Sequence, residues 1–363
     1  MKDIGIKVHN EWDPLKTVIV GSVKGAHIPD EVEAMIHATV PKKHWSFFKE
    51  HAGQPFPEEL VDKAEQELSE LVHIFVAEGV EVLRPEPGSL FANAIKTGDW
   101  QIRCGFYAAM PRDNLLSIGN EIIEAPMAWR SRYRESEAYA PVLNLLAERG
   151  GRITKAPRPA LKDSFFRDAP APDDGCFHSV IGEDHPTFDA ADFMKFGADL
   201  VGQQSHVTNQ AGIQWLRTHL EGRYRVHTFP FEDSSPMHID ATITPLRPGL
   251  VLINPLRVPP ALREELKAGL FKGWDLVEVP EPVIPDSHPL YMTSKWINMN
   301  IVSIDEERVL VEAEDEPMFK LLTDLGMKPI RCAFRNFNSF GGSFHCATCD
   351  VYREGNLETV LNP

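Results

Sequence analysis

The sequence predicts an α/β protein built from many short strands. Short apolar runs rich in β-branched residues, typical of buried strands, alternate along the 363 residues with longer segments of helical periodicity. The 29 prolines and 24 glycines fall mostly between these segments, where they mark turns and loops. No sequence repeat is recognisable, although structural repetition can exist beneath divergent sequence.

The predicted elements follow in order from these patterns. The run at 17–21, Thr-Val-Ile-Val-Gly, predicts the first buried strand, closed by glycine. Similar runs predict strands at 115–118, 250–253, 297–304 and 309–311. Helical periodicity predicts helices at 58–78, 140–149 and 212–220. The most loop-like stretch is 157–186, and its segment 168–175 is predicted to be a surface insertion or a lid.

Charge and composition exclude several classes of function. The formal net charge is −16 and no run of Lys or Arg forms a stripe that could follow phosphates, so no nucleic acid is expected as a partner. No stretch approaches the roughly 20 apolar residues of a membrane span, so no membrane partner is expected either. Five scattered cysteines and a start without an apolar signal region predict a cytoplasmic protein.

The most informative motif is Cys346-x-x-Cys349, which directly follows His345. Its spacing admits a metal site, a redox pair, a nucleophile with a neighbouring thiol, or two buried structural thiols. A structural zinc site usually needs a second ligand pair at similar spacing, and the sequence has no such pair. A nucleophilic cysteine needs a nearby proton acceptor or positive charge, because the thiolate is the reactive form.

Two aspartate motifs and one histidine are candidates for that neighbourhood. His238 and Asp240 would share one face of a strand, since side chains two residues apart point the same way, and could line one pocket. The alternative is a pair satisfied in the interior or at the surface. Asp189 could equally be a helix N-cap. Asp113 stands beside a predicted buried strand, where a carboxylate needs a protein or ligand partner.

Taken together, these segments resemble the amidinotransferase family of L-arginine:glycine and inosamine-phosphate amidinotransferases. The likeness runs almost end to end, and several segments in one order are more specific than any single motif. The matching segments are 10–15, 110–132, 188–220, 224–227, 236–242, 294–296 and 344–350.

This resemblance implies a fold and a reaction. The fold is the pentein fold, a five-bladed α/β propeller of ββαβ modules with pseudo-fivefold symmetry, in a single domain spanning residues 1–363. The reaction moves the amidino group of L-arginine to a primary amine through a covalent amidino-cysteine, with ping-pong kinetics and release of ornithine. No metal and no organic cofactor is implied. The partners are the small-molecule donor and acceptor and a second copy of the chain in a homodimer.

The resemblance also assigns residues. Cys346 matches the nucleophile, His238 the acid/base and Asp189 the carboxylate that orients the histidine. The remaining matches are to substrate-binding positions, with two carboxylates for the guanidinium and an arginine for the substrate carboxylate: Asp113, Asp240, Arg257, Ser294, Met237, Thr293 and Ser235.

Three departures bear on the acceptor. Ser235 stands where glycine-using relatives carry Asn, Thr293 where they carry Ser, and Ala347 where they carry Trp. Glycine is the default acceptor. Lysine or another larger amine, such as an aminocyclitol, is the alternative suggested by the first and third changes, Ser235 and Ala347, which are expected to enlarge or reshape the pocket. Two other functions stay open at this point: a guanidino-group hydrolase, in which water attacks the intermediate, and a non-catalytic guanidino-compound-binding protein.

Overall fold

The computed structural model describes residues 5–167, 175–285 and 287–362. The predicted insertion or lid at 168–175 lies outside these residues, apart from Gly175. None of the described helices is both long and apolar enough to cross a membrane.

The described ranges contain seventeen strands. In chain order they are β1 (Leu15–Val20), β2 (Glu81–Leu83), β3 (Ile95–Lys96), β4 (Gln101–Ile102), β5 (Leu115–Ile118), β6 (Glu121–Glu124), β7 (Arg152–Lys155), β8 (Phe193–Phe196), β9 (Asp199–Gly202), β10 (Arg225–Thr228), β11 (Ile243–Arg247), β12 (Leu250–Ile253), β13 (Asp275–Glu278), β14 (Val302–Ser303), β15 (Arg308–Glu312), β16 (Lys328–Cys332) and β17 (Thr348–Arg353).

Nine α-helices accompany the strands in the same ranges. They are α1 (Glu33–Thr39), α2 (Trp45–His51), α3 (Glu58–Ala77), α4 (Pro111–Asn114), α5 (Ala140–Glu148), α6 (Gln210–Leu220), α7 (Pro260–Ala268), α8 (Glu316–Asp324) and α9 (Arg335–Asn338).

Fifteen of the described strands form five sheets with one topology. In each sheet the first two strands are antiparallel, and the third lies parallel to the second after a helical crossover. The sheets are β17-β1-β2, β5-β6-β7, β8-β9-β10, β11-β12-β13 and β14-β15-β16, and the crossover helices are α3, α5, α6, α7 and α8. The predicted five ββαβ modules are therefore confirmed, although the sequence contains no recognisable repeat that would indicate them.

The five sheets close into a ring. In each sheet after the first, a helical turn precedes the first strand. This turn packs on the preceding sheet or on the helical turn that precedes that sheet. The ring closes where Leu15 N donates to Ile304 O (2.8 Å) and Arg353 Nη2 donates to Ser303 O (2.9 Å). Strand β17 pairs with β1, so the first module combines an early and a late segment of the chain.

The crossover helices pack apolar residues against the sheets, whereas the centre of the ring is polar. Along α3, the residues Ala64, Leu68, Leu71 and Phe75 recur at helical spacing and are buried. A cluster of buried charged side chains lies in the centre, and its members pair with one another, as burial requires. They include Glu11, Arg112, Lys195, Asp350 and Arg353.

Most predicted elements are present within two residues of their expected bounds, but one strand is wrong. The predicted strand at 297–304 is instead a 3₁₀ helix, Lys295–Met299, followed by the two residues of β14. The turn between them places the side chain of Asn300 beside Cys346. This tertiary contact outweighs the β propensity of a short apolar run.

Candidate active site

The candidate residues converge because corresponding points of the five modules face the centre of the ring. Each lies within or beside the helical turn that precedes the first strand of its module. In module order these residues are Cys346 before β17, Asp113 before β5, Asp189 before β8, His238 and Asp240 before β11, and Asn300 before β14.

Cys346 is buried in a tight turn and held by Asn300. Asn300 Oδ1 accepts hydrogen bonds from the backbone N–H of Ser343 and of Cys346 (both 3.0 Å), while Asn300 Nδ2 donates to Cys346 Sγ (3.1 Å). A Cβ at Gly342 would lie 2.7 Å from the Cβ of Cys346, so the turn needs glycine there. The thiol therefore has a fixed position.

His238 lies between two carboxylates. Its Nε2 is 3.0 Å from Asp189 Oδ2 and its Nδ1 is 3.6 Å from Asp113 Oδ1. Burial alone would lower the pKa of His238, but the charge of Asp113 and the hydrogen bond with Asp189 raise that pKa well above its usual value. The imidazolium form is thus favoured, and it can act as a proton donor.

The prediction that His238 and Asp240 share a strand face is wrong. His238 has a positive φ of 65°, and Asp240 follows in a 3₁₀ helix, Ile239–Ala241, rather than in a strand. A non-glycine residue with positive φ is uncommon and tends to mark a functional site. Both side chains still reach Cys346, but they do so through this turn.

Asp240 links Cys346 to a second histidine. Cys346 Sγ donates to Asp240 Oδ2 (3.4 Å), and His345 Nδ1 lies 2.9 Å from the same oxygen. Although burial opposes it, the hydrogen bond and charge of His345 lower the pKa of Asp240. On its other side, His345 Nε2 lies 3.5 Å from Glu11 Oε2.

The thiol itself is protonated in this environment. Burial and the charge of Asp240 raise the pKa of Cys346 to about 12, against the opposing hydrogen bond with His238. A cation placed among the carboxylates would offset their charge and favour the thiolate. The site can therefore activate its nucleophile when a cationic ligand enters.

Arg132 holds the carboxylates from behind. Its Nη1 donates to Asp113 Oδ2 (2.9 Å) and to Asp189 Oδ2 (3.4 Å), while Nε and Nη2 each donate to Glu135 at 2.7 Å. All four side chains are buried. One oxygen each of Asp113 and Asp189 has no hydrogen bond among the described residues, and these oxygens remain as acceptors for a ligand.

An open cleft of about 950 Å³ lies beside the turn that carries His238 and Asp240. Five predicted substrate-binding residues line the cleft: Ser235, Met237, Arg257, Thr293 and Ser294. Met237 and Ala241, which also line the cleft, flank His238 and Asp240 in sequence, so the chain passes from the cleft wall into the buried site at this turn. The other departure from relatives, Ala347, is fully buried in the core and is not among the described lining residues.

The same residues have the composition of a metal site. Among the described residues, Asp113, His238 and Cys346 form the one group whose ligand atoms could hold an ion, all within 4.8 Å of one another. Thiolate, imidazole and carboxylate are ligands that Zn²⁺ accepts. These atoms are also the ones that a thiol mechanism would use.

Comparison with known proteins decides between the functions left open above. The chain is 49% identical to the L-arginine:L-lysine amidinotransferase of Pseudomonas savastanoi pv. phaseolicola, over 97% of this chain and 96% of that protein. The chain belongs to the amidinotransferase family. It is also 45% identical to the mitochondrial glycine amidinotransferase of Xenopus tropicalis, covering 98% of this chain and 84% of that protein.

Solved structures extend this result to the fold of the amidinotransferase. The inosamine-phosphate amidinotransferase of Streptomyces griseus superposes with a TM-score of 0.85 at 36% identity, covering 98% of this chain and 99% of that one. A dimethylarginine dimethylaminohydrolase shares the fold alone, with 14% identity and a TM-score of 0.57 over 93% of this chain and 99% of that chain. The predicted pentein fold is confirmed, and the chain is an enzyme that transfers amidino groups. No protein-family model matches it.

Three residues of the amidinotransferase site went unassigned in the sequence: Asn300, Arg132 and His345. Arg132 and His345 lie inside segments that carry the family likeness, but a matching segment does not say what a side chain contacts. Most of their partners in the site are distant in sequence, as with Asn300 and Cys346, 46 residues apart, although Arg132 also pairs with Glu135 three residues away. No sequence signal marks these roles, because burial and distant partners arise only on folding.

Proposed function

We propose that this amidinotransferase transfers the amidino group of L-arginine to a primary amine, with Cys346 as nucleophile and His238 as acid and base. The observation that carries this proposal is the meeting of a thiol, an imidazolium and the Asp113, Asp189 and Asp240 carboxylates in one buried site. A guanidinium is a poor electrophile because its charge is delocalised, so a site must hold it between carboxylates and present an anionic sulfur.

In the first half-reaction, the donor guanidinium binds between the carboxylates, and its charge favours loss of the Cys346 proton to solvent, which leaves the thiolate. The sulfur bonds to the guanidinium carbon, the bond from that carbon to the side-chain nitrogen breaks, and His238 supplies the proton that this nitrogen needs to leave as an amine. Ornithine departs, and a positively charged amidino group remains on sulfur.

In the second half-reaction, the acceptor amine attacks the amidino carbon while neutral His238 removes its proton. The carbon–sulfur bond breaks, the thiolate leaves and a new guanidinium forms. Arg257 holds the carboxylate of donor and acceptor in turn, since a guanidinium fork suits that group. Ser235, Met237, Thr293 and Ser294 contact the rest of the substrate in the cleft.

We further propose lysine as the acceptor, in place of the glycine that is the default for the family resemblance. Support comes from the 49% identity to an L-arginine:L-lysine amidinotransferase and from an open cleft that can take an acceptor larger than glycine. Ser235, which replaces the larger Asn of glycine-using relatives, lines that cleft, whereas the second change expected to enlarge the pocket, Ala347, lies in the core and gives no such support. Rates with lysine and glycine at equal concentrations test this choice, and exclusive use of glycine would refute it.

Three broader proposals rest on sequence and resemblance: one domain over residues 1–363, a homodimer and a cytoplasmic location. The five modules packed into one ring support the first. Light scattering of the purified chain tests the second, and fractionation of the cells that make it tests the third.

The reaction can be tested by mass spectrometry of the intact protein mixed with arginine and no acceptor. We expect the mass of one amidino group on Cys346, with release of ornithine. Cys346→Ala should abolish the adduct. Cys349→Ala removes a thiol that donates a hydrogen bond to Leu115 O in the core and should retain the adduct. Citrulline or urea instead of an adduct would indicate hydrolysis, and unchanged arginine would refute the donor.

A further inference from the structure

The cleft is basic although the protein is acidic. The formal net charge of the chain is −16, yet the described residues that line the cleft include Lys42, Lys43, Lys295 and Arg257 and a single carboxylate, Asp233. Such a lining attracts anions such as carboxylates. The role of the one acidic side chain in this surface therefore needs a separate explanation.

Asp233 is held beside Arg257, but the two side chains form an ion pair without a well-aligned hydrogen bond. Asp233 Oδ1 accepts from the backbone N–H of Ser235 (3.0 Å), which orients the carboxylate. Asp233 Oδ2 lies 2.9 Å from Arg257 Nε, yet it is buried and has no hydrogen bond of acceptable geometry among the described residues. A buried carboxylate oxygen in that condition is ready to accept from a ligand.

Arg257 is also only partly engaged. Its Nη1 donates to Ala241 O (3.1 Å) and to Thr242 Oγ1 (3.4 Å), next to Asp240 in the chain. Its Nη2 makes no hydrogen bond to the part of the chain that the structure describes. A positive and a negative group thus stand side by side in the cleft wall, each with capacity left for a polar ligand.

We infer that Asp233 binds the α-ammonium group of amino-acid substrates while Arg257 binds their α-carboxylate. The pair is complementary to the zwitterionic end of an α-amino acid, whose two charges are separated by one carbon. This inference rests on the proposed function. It adds that the enzyme selects donors and acceptors that carry a free α-ammonium beside a carboxylate.

The inference separates two kinds of acceptor. Lysine reacts through its side-chain amine, so its α-ammonium stays free for Asp233. Glycine reacts through its only amine and leaves nothing for Asp233 to bind. Recognition by Asp233 therefore favours lysine over glycine and over the lysine analogue that lacks the α-amine.

The test compares two donors in the wild-type enzyme and in Asp233→Asn. The donors are arginine and its analogue that lacks only the α-amino group, and the readout is kcat/KM, which for ping-pong kinetics does not depend on acceptor concentration. A hydrogen bond to a charged group is worth a factor of about 10 to 100, so Asp233→Asn should lose that factor with arginine and almost nothing with the analogue.

Glu232→Gln is the matched control. It makes a similar change of charge one residue away, at an exposed side chain outside the described cleft lining, and should leave both donors unaffected. Equal losses with both donors would mean that Asp233 only supports Arg257 and would overturn the inference, as would no loss with either. A wild-type enzyme that leaves arginine untouched would instead refute the proposed function.

Discussion

At the scale of single residues, the chemistry around Cys346 depends on how the charge of Asp240 is shared. One oxygen of Asp240 accepts from both His345 and Cys346, at 2.9 and 3.4 Å. The negative charge of Asp240 disfavours a thiolate at Cys346. A hydrogen bond from His345 to Asp240 offsets part of that charge. In the proposed mechanism His345 is thus a positioning residue: it contacts Asp240, which is proposed to bind the guanidinium, and does not itself contact the substrate.

His345→Leu should lower kcat/KM for the donor by about 10- to 100-fold, because Asp240 loses a charge-assisted hydrogen bond. His345→Gln keeps an N–H donor and should recover part of this loss. Steady-state kinetics of both variants, with thermal unfolding as a check on folding, would measure the effect. Equal losses in the two variants would show that packing, not the hydrogen bond, matters.

The raised pKa of Cys346, about 12, predicts a reactivity that increases with pH. Below that pKa each unit of pH raises the thiolate fraction about tenfold, and the thiolate is the form that reacts. Alkylation of Cys346 by iodoacetamide without substrate should therefore accelerate from neutral to alkaline pH without levelling off. Mass spectrometry of the labelled peptide measures the rate, and a plateau near pH 7 would contradict the prediction.

Sequence reasoning assigned the residues that are proposed to react but not those that hold them in place. Cys346, His238 and Asp189 belong to recognisable segments, and the structure brings all three together. Arg132 was not assigned a role, because its value lies in contacts with Asp113 and Asp189 on other turns. Such contacts exist only after folding and leave no periodic pattern in the sequence.

At the scale of elements, some features follow from local sequence and others depend on tertiary contacts. Local pattern predicted the strands that fill the sheets, such as β5 and β12, because apolar runs determine them. It failed at 297–304 and at His238, where the backbone turns to aim Asn300 or an imidazole at the centre. Propensity does not encode such direction.

Gly342→Ala should disturb the turn that carries Cys346. The added Cβ would lie 2.6 Å from Met110 Sδ and 2.7 Å from Cys346 Cβ, so the thiol must move or the core must expand. Overpacking of this kind costs about 1–3 kcal/mol, and we expect at least tenfold slower amidino transfer to Cys346. Single-turnover measurements would show this loss.

Gly98→Ala provides the control, because its Cβ would meet nothing within 4 Å and its φ is not in the left-handed region. Activity and melting temperature should match the wild type. Unchanged transfer in Gly342→Ala would show that the turn tolerates expansion.

At the scale of the whole molecule, Arg353 links the first module to the fifth and so closes the ring. It is buried and donates to Ser303 O, Asp13 O and Asp350 Oδ2, which belong to the fifth module, the N-terminal segment and β17. Arg353→Met should lower the free energy of unfolding by about 3–5 kcal/mol, because the buried partners lose their donor. Arg134→Met, at an exposed ion pair with Glu137, should cost no more than about 1 kcal/mol. Urea unfolding measures both.

The same cluster predicts an acid limit to stability. Despite burial, Arg112 and Arg353 lower the pKa of Asp350 to about 2, from an ordinary value of 3.8. A carboxylate with a lowered folded-state pKa contributes stability above pH 3.8 and loses it as pH falls towards 2. Asp350→Asn should make unfolding less dependent on pH in that window. If the free energy of unfolding of Asp350→Asn depends on pH as in the wild type, other carboxylates set the acid limit.

The pairing of β17 with β1 also has a consequence for synthesis on the ribosome. Chains emerge from their N-terminus, so β1 must wait for its neighbour β17 until residue 353 has been translated. Cys346 lies two residues before β17 and is therefore added after His238 and the three carboxylates. A prematurely terminated product would carry His238 and the carboxylates but no thiol to react with a guanidinium. Translation through β17 thus completes the ring of five described sheets and adds the proposed nucleophile in the same step.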